Sequence, residues 1–198
     1  MVEELSQFLT PNNRLDVRAV ALAEILGLTG TPEGLLALSK VKPIQNSLVS
    51  LISDSSEVIA TDACLALINL SSDPACVLSL LELPDLISTL CKVIADKESK
   101  LADKGTQVLS NLTRDLACCG KVHSQLQKAG IGVDSLINML CQEGYNAAGQ
   151  DLRFLGPVMS NLSQLVEVRN EILGKNSLFL RKAGCGLPCR GVDSPKVV

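Results

Sequence analysis

The chain has 198 residues, a net charge of −3, 46% hydrophobic residues and 2% aromatic ones. A core for this length must be built from Leu, Ile, Val and Ala, which favours helices over a sheet sandwich, whose strands draw on aromatic and β-branched residues. The weak acidic balance gives no electrostatic reason to expect nucleic acid or an anionic membrane as partner.

In chain order, the opening "MVEELSQFL" lacks the basic start and apolar run of a secretory signal. A long apolar helix is predicted over "LDVRAVALAEILGL". Thr31-Pro32 then places an N-cap residue before a proline in the first helical position, opening the short helix "PEGLLALSK". An amphipathic helix follows, with Ile44, Leu48, Leu51 and Ile52 on one face. Asp54 with Glu57 reads as a capping box for a helix over 55–70. That helix is apolar almost all round (Val58, Ile59, Ala63, Leu65, Leu67, Leu70), which predicts cover on most sides. The same trio then recurs. Asp73-Pro74 opens "PACVLSLLE", and Leu86, Ile87, Leu90, Val93 and Ile94 share the next amphipathic face. The charge run "ADKESKLADK" reads as a solvated turn. The third trio is "SKLADKGTQVLSNL", "CCGKVHSQLQKAG" and a helix with Val133, Leu136, Ile137 and Leu140 on one face. After the Gly-containing loop "CQEGYNAAGQD" come "GQDLRFLGPVMSNL" and "EVRNEILGK". No stretch is long and apolar enough to span a bilayer; Asp85, Lys92 and Asp96 interrupt the best candidate. A cytoplasmic location is expected.

Asn-Leu-Ser/Thr closes three of the long helices, at Asn69, Asn111 and Asn161, and Gly27 holds the same place in the first. The spacing is 42 residues from Gly27 to Asn69 and from Asn69 to Asn111, then 50 to Asn161. A period near forty is the signature of armadillo or HEAT repeats. The expected fold is therefore an all-α, armadillo/HEAT-like helical solenoid of about four repeats, the last incomplete. The tripeptide fits the acceptor pattern for an N-linked glycan, but a flexible exposed site in a secretory compartment is not what a helix end offers. Leu70, Leu112 and Leu162 are expected in the core. Asn69, Asn111 and Asn161 would form a ladder on the inner face, able to hydrogen-bond an extended peptide or else to satisfy local carbonyls.

The stretch "LVSLISDSSEVIATDACLALINLSSDP" resembles an armadillo repeat, with Leu65, Gln107 and Pro157 where that pattern carries tryptophan. No groove for nuclear-localisation peptides is expected. A closer resemblance lies in "LINMLCQEGYNAAGQDLRFLGPVMSNLSQLVEVRNEIL", whose Gly144-Tyr145-Asn146 and Ser160–Gln164 pieces are similar to those of the Hgh-one family; the opening "LSQFLTPNNRLDVRAVALAEILGLTG" is similar as well. The resemblance runs from about Glu3 to Lys175. It implies a cytosolic armadillo-like adaptor that assists folding of elongation factor 2 with the TRiC chaperonin and Hsp chaperones. Tyr145, the sole tyrosine, would be an interface anchor or would pack its loop onto the array.

The resemblance also implies further repeats where this chain turns to "SLFLRKAGCGLPCRGVDSPKVV". Residues 1–176 are thus expected to form the repeat domain and 177–198 a divergent, disordered tail, as in a truncated form that has no function of its own or leaves an uncovered last repeat. Its Cys185 and Cys189 lack the further ligands a structural zinc needs, and no metal or cofactor is expected. The other six cysteines read as reduced core residues. For enzyme chemistry the residues offer only Cys119 and His123, four apart on one short helix, against the simpler reading of a surface histidine. A binding module rather than an enzyme is expected.

Overall fold

The structure is a computed structural model that describes residues 2–173, in which every regular element is helical. Four long helices, α2 (Leu15–Leu28), α5 (Glu57–Ser72), α8 (Ala102–Leu112) and α11 (Leu155–Leu162), stack side by side in one layer. Each of the first three is followed by a short helix and an amphipathic one. The helices in the short place are α3 (Pro32–Ser39), α6 (Pro74–Leu80) and α9 (Leu116–Lys128), the last of which at 13 residues is longer than the 11-residue α8 and the 8-residue α11; the amphipathic ones are α4 (Lys42–Leu51), α7 (Leu86–Ala95) and α10 (Val133–Cys141). α4 backs α5, α7 backs α8 and α10 backs α11, so each long helix is covered from behind by the amphipathic helix that precedes it in the chain. A single turn, α1 (Leu5–Phe8), closes the start against α2 and α4, and a further helix runs over 166–173. The expected tail over 177–198, with Cys185 and Cys189, lies outside the described residues.

One continuous aliphatic core runs from Leu9 to Val168. Leu70, Leu112 and Leu162, the leucines of the tripeptides, are fully buried in it. Each such leucine contributes about 1.5–3 kcal/mol of transfer free energy. Where α2 turns into α3 the approach is close enough to demand glycine: a Cβ on Gly34 would lie 2.0 Å from the Leu28 carbonyl oxygen.

Helix starts follow the sequence in two places. Thr31 accepts from the Gly34 N–H at 3.1 Å and Asp73 from the Ala75 N–H at 2.8 Å. Asp115 caps α9 in the same way, through the Ala117 N–H. The expected capping box at Asp54 and Glu57 does not form, because both carboxylates are drawn to other repeats. Asp54 pairs with Arg18 of α2 and accepts from the Ser56 N–H, and Glu57 pairs with Lys100 at 2.9 Å. α5 is covered on most sides, as expected, and leaves Val58 and Leu65 exposed on the remaining one. Leu140, expected on the buried face of α10, is exposed, and so is Cys141; the other five described cysteines are buried.

Candidate protein-binding face

The three asparagines occupy equivalent places at the ends of α5, α8 and α11, and each reaches back to the preceding repeat. Asn69 Nδ2 donates to Thr29 Oγ1 at 2.8 Å. Asn111 Nδ2 donates to Ser71 Oγ at 3.1 Å and to the Ile68 carbonyl at 3.3 Å. Asn161 Nδ2 donates to Thr113 Oγ1 at 3.2 Å and to the Ser110 carbonyl at 3.3 Å. Thr29, Ser71 and Thr113 each stand two residues after Gly27, Asn69 and Asn111, so the hydroxyl of one tripeptide receives the asparagine of the next. All three hydroxyls are buried and donate onward to carbonyls of their own helix. The tripeptide is thus a fastening between repeats. The sequence carried the signal in the hydroxyl residue two places on, which the ladder reading left out.

The asparagine Nδ2 groups are therefore engaged by neighbouring repeats, while the Oδ1 of Asn111 accepts from Arg114 Nη2 at 2.8 Å. Beside the asparagines, the open side of the long-helix layer carries Val58 and Leu65 of α5, 63% and 37% exposed. These lie 11 and 4 residues before Asn69 and so share its helical face. Gln107 and Pro157 follow at the positions equivalent to Leu65.

Tyr145 is half-buried in the loop between α10 and α11. Its hydroxyl donates to the Ala95 carbonyl at 3.1 Å, and Lys97 Nζ lies 5.3 Å from its ring centre. Burial, helped by Asp96, pushes its phenol pKa up. Asn146 donates to the Ser99 carbonyl and the Ala147 N–H to the Lys97 carbonyl, so the loop clasps the turn between α7 and α8. Next to it the buried Asp103 accepts from the Arg153 backbone N–H at 2.8 Å and from its guanidinium at 2.6 Å. The charge run "ADKESKLADK" is accordingly not all solvated: its second Asp is a buried acceptor.

Cys119 and His123 lie on α9, but the thiol is turned to backbone. Cys119 Sγ lies 2.9 Å from the Thr113 carbonyl oxygen as donor, and burial, then Cys118 and Asp115, push its pKa up. Burial and Asp115 also raise Cys118. A raised pKa disfavours the thiolate that nucleophilic chemistry needs. His123 Nε2 lies 3.6 Å from Glu171 Oε1 rather than on a thiol. Among the described residues no His/Cys/Asp/Glu group is arranged to hold a metal ion, and no single helix is long and apolar enough to cross a membrane.

With this geometry in view, the likeness to solved structures is to armadillo repeats. A computationally designed armadillo protein for modular peptide recognition superposes with a TM-score of 0.71 at 19% identity, over 91% of this chain and 73% of that one. A designed armadillo protein in complex with peptide (KR)4 also gives 0.71 at 19% identity, covering 89% and 71%. A family model described as Domain of unknown function (DUF383) matches residues 93–183. Proteins named Protein HGH1 homolog are 37% identical over 180 residues in Danio rerio and 37% over 182 in Xenopus laevis, which is 91% and 92% of this chain but 48% and 51% of theirs. In Drosophila melanogaster the identity is 46% over 68 residues. The chain spans about half the length of these curated relatives. Across nearly all of its own length it is an armadillo-like helical repeat protein that is similar in sequence to the HGH1 homologs.

Proposed function

We propose that the chain is a non-enzymatic adaptor that binds a protein segment along the open side of its long-helix layer. By family resemblance, it acts in the cytoplasm on elongation factor 2, with the TRiC chaperonin and Hsp chaperones. The observation that carries the binding reading is the exposed apolar pair Val58 and Leu65 on the same face as the asparagine ladder, on a helix whose remaining apolar residues are buried. Exposed aliphatics there gain from being covered. Because the asparagine Nδ2 groups are engaged between repeats, the ladder would offer acceptors: the Oδ1 atoms of Asn69 and Asn161 can take N–H groups of an extended segment. Tyr145 would serve by holding its loop, with Lys97 and the ring at the rim of that loop.

The asparagines make poor test sites, since replacing them loosens the array. Leu65→Asp alters the face and leaves the fastening in place. Tagged full-length chain, expressed near native level in a eukaryotic cytosol, should enrich elongation factor 2 and chaperonin subunits, and Leu65→Asp should remove that enrichment. Equal capture by the variant would move binding off this face. Failure of the unaltered chain to enrich elongation factor 2 would overturn the client assignment.

A further inference from the structure

We propose that the groove between α6 and α9 is a second docking site, for a short segment of a partner protein that presents a carboxylate beside apolar side chains. The groove has a volume of about 530 Å³, within the roughly 300–1,000 Å³ of ligand-sized pockets. Val77 and Cys118 form its buried floor, and Pro74, Leu78 and Leu116 its rim. Leu78 and Leu116 are 55% and 52% exposed, a steep exposure for two leucines flanking one depression. An apolar surface of this kind is what a partner's aliphatic or aromatic side chains cover.

The polar groups of the groove select the partner's charge. The hydroxyls of Ser71 and Ser72 donate to the Ile68 and Asn69 carbonyls, and Asp115 accepts from the Ala117 N–H. Arg114 is the cation of the lining. One of its N–H groups goes to Asn111 Oδ1, which holds the guanidinium at the groove while the rest of its fork stays available. That fork matches a carboxylate in two-point geometry. Asp115 next to it offsets part of the charge, so a free anion gains little. The leucines must supply the remaining affinity, which makes the ligand an acidic and apolar segment rather than an ion. The positions equivalent to Arg114 in the other repeats are Gly30, Ser72 and Gln164, so the cation occurs at one register of the array and the site is single.

Leu65 is not part of this lining, although Asn111 of the ladder borders it, and the groove gives the adaptor a second contact. The test uses the full chain and two fluorescein-labelled octapeptides, one alternating leucine with aspartate and one alternating leucine with lysine, read by fluorescence anisotropy. The aspartate peptide should bind and the lysine peptide should not. Arg114→Glu should reverse that preference, and Leu116→Ala should weaken the aspartate peptide about tenfold, the loss expected when one aliphatic side chain of the rim no longer covers the ligand. Circular dichroism confirms that these surface variants fold. The proposal is overturned by no binding of the aspartate peptide, by equal binding of both peptides, or by affinity indifferent to Arg114→Glu. It is equally overturned by a dimer in sedimentation that Leu78→Glu dissociates, since a second copy would then cover the groove. Elongation factor 2 capture, read separately, reports on the open face and not on this one.

Discussion

The first and last repeat boundaries use an ion pair of opposite polarity for the same task. Between the first and second repeats the cation is on the earlier long helix: Arg18 of α2 pairs with Asp54 in the turn before α5, and both side chains are about nine-tenths buried, at 11% and 10% exposure. Between the third and fourth, the anion is on the earlier helix: Asp103 of α8 receives Arg153 from the turn before α11, with Arg153 largely exposed. Among the described residues, the middle boundary carries the exposed pair Glu57 and Lys100. All three boundaries nevertheless carry the asparagine-to-hydroxyl fastening. Neutral hydrogen bonds at a helix end recur because the stacking geometry fixes them. Charged ties vary because any turn that reaches the neighbouring helix can make one. The longer spacing of the last repeat is absorbed by the loop with Tyr145 and Asn146, without disturbing the fastening at Asn161.

Breaking the ties one by one should rank the boundaries. Arg18→Ala leaves the Asp54 carboxylate buried with only the Ser56 N–H, and should cost about 3–5 kcal/mol in urea unfolding. Asp103→Asn keeps the shape and loses the charge that holds the Arg153 fork; a cost of about 2 kcal/mol is expected, with faster hydrogen exchange in α11. Tyr145→Phe removes one hydrogen bond from the loop clasp and should cost about 1 kcal/mol, with increased proteolytic nicking of residues 142–152. Lys100→Ala should cost less than ~1 kcal/mol, and the difference should vanish in high salt.

A titration sharpens the same contrast without any effect at neutral pH. Burial pushes the Cys64 thiol of α5 from 9.0 up to about 12, with Lys104 pulling slightly the other way, and Cys91 of α7 up to about 11. The folded state thus holds these protons more tightly than the unfolded chain. Their contribution is complete below pH about 9 and is lost as pH rises through the folded values. Urea midpoints should fall between pH 9 and 12, and Cys64→Ala should flatten that slope. At pH 7.5, alkylation of the described cysteines should mark Cys141 quickly and Cys64, Cys76, Cys91, Cys118 and Cys119 only on unfolding.

Much of the fold was legible because helical periodicity, N-caps before prolines and a forty-two-residue repeat all reflect local chemistry. Thr31, Asp73 and the three tripeptide leucines behave as their neighbours in sequence dictate. What escaped involves partners from other repeats. Asp54 and Glu57 have the spacing of a capping box, yet cations 36 and 43 residues away claim them. Asp103 looked like one more solvated charge until Arg153, 50 residues on, reached it. Val58 and Leu65 could not be told from their buried neighbours on α5, because composition does not show which side of a helix the stack leaves open. The asparagines were singled out correctly as a repeating feature, but their hydrogen-bond acceptors lie one repeat earlier.

The most direct measurement is a double-mutant cycle on the fastening between the second and third repeats, with Asn111→Ala, Ser71→Ala and the pair compared by urea unfolding. A coupling energy of about 1 kcal/mol between side chains 40 residues apart is expected if the tripeptide of one repeat holds that of the next. Strictly additive losses would mean that the two side chains act independently, and the asparagines would then have to be explained by what they bind rather than by how the array is held together.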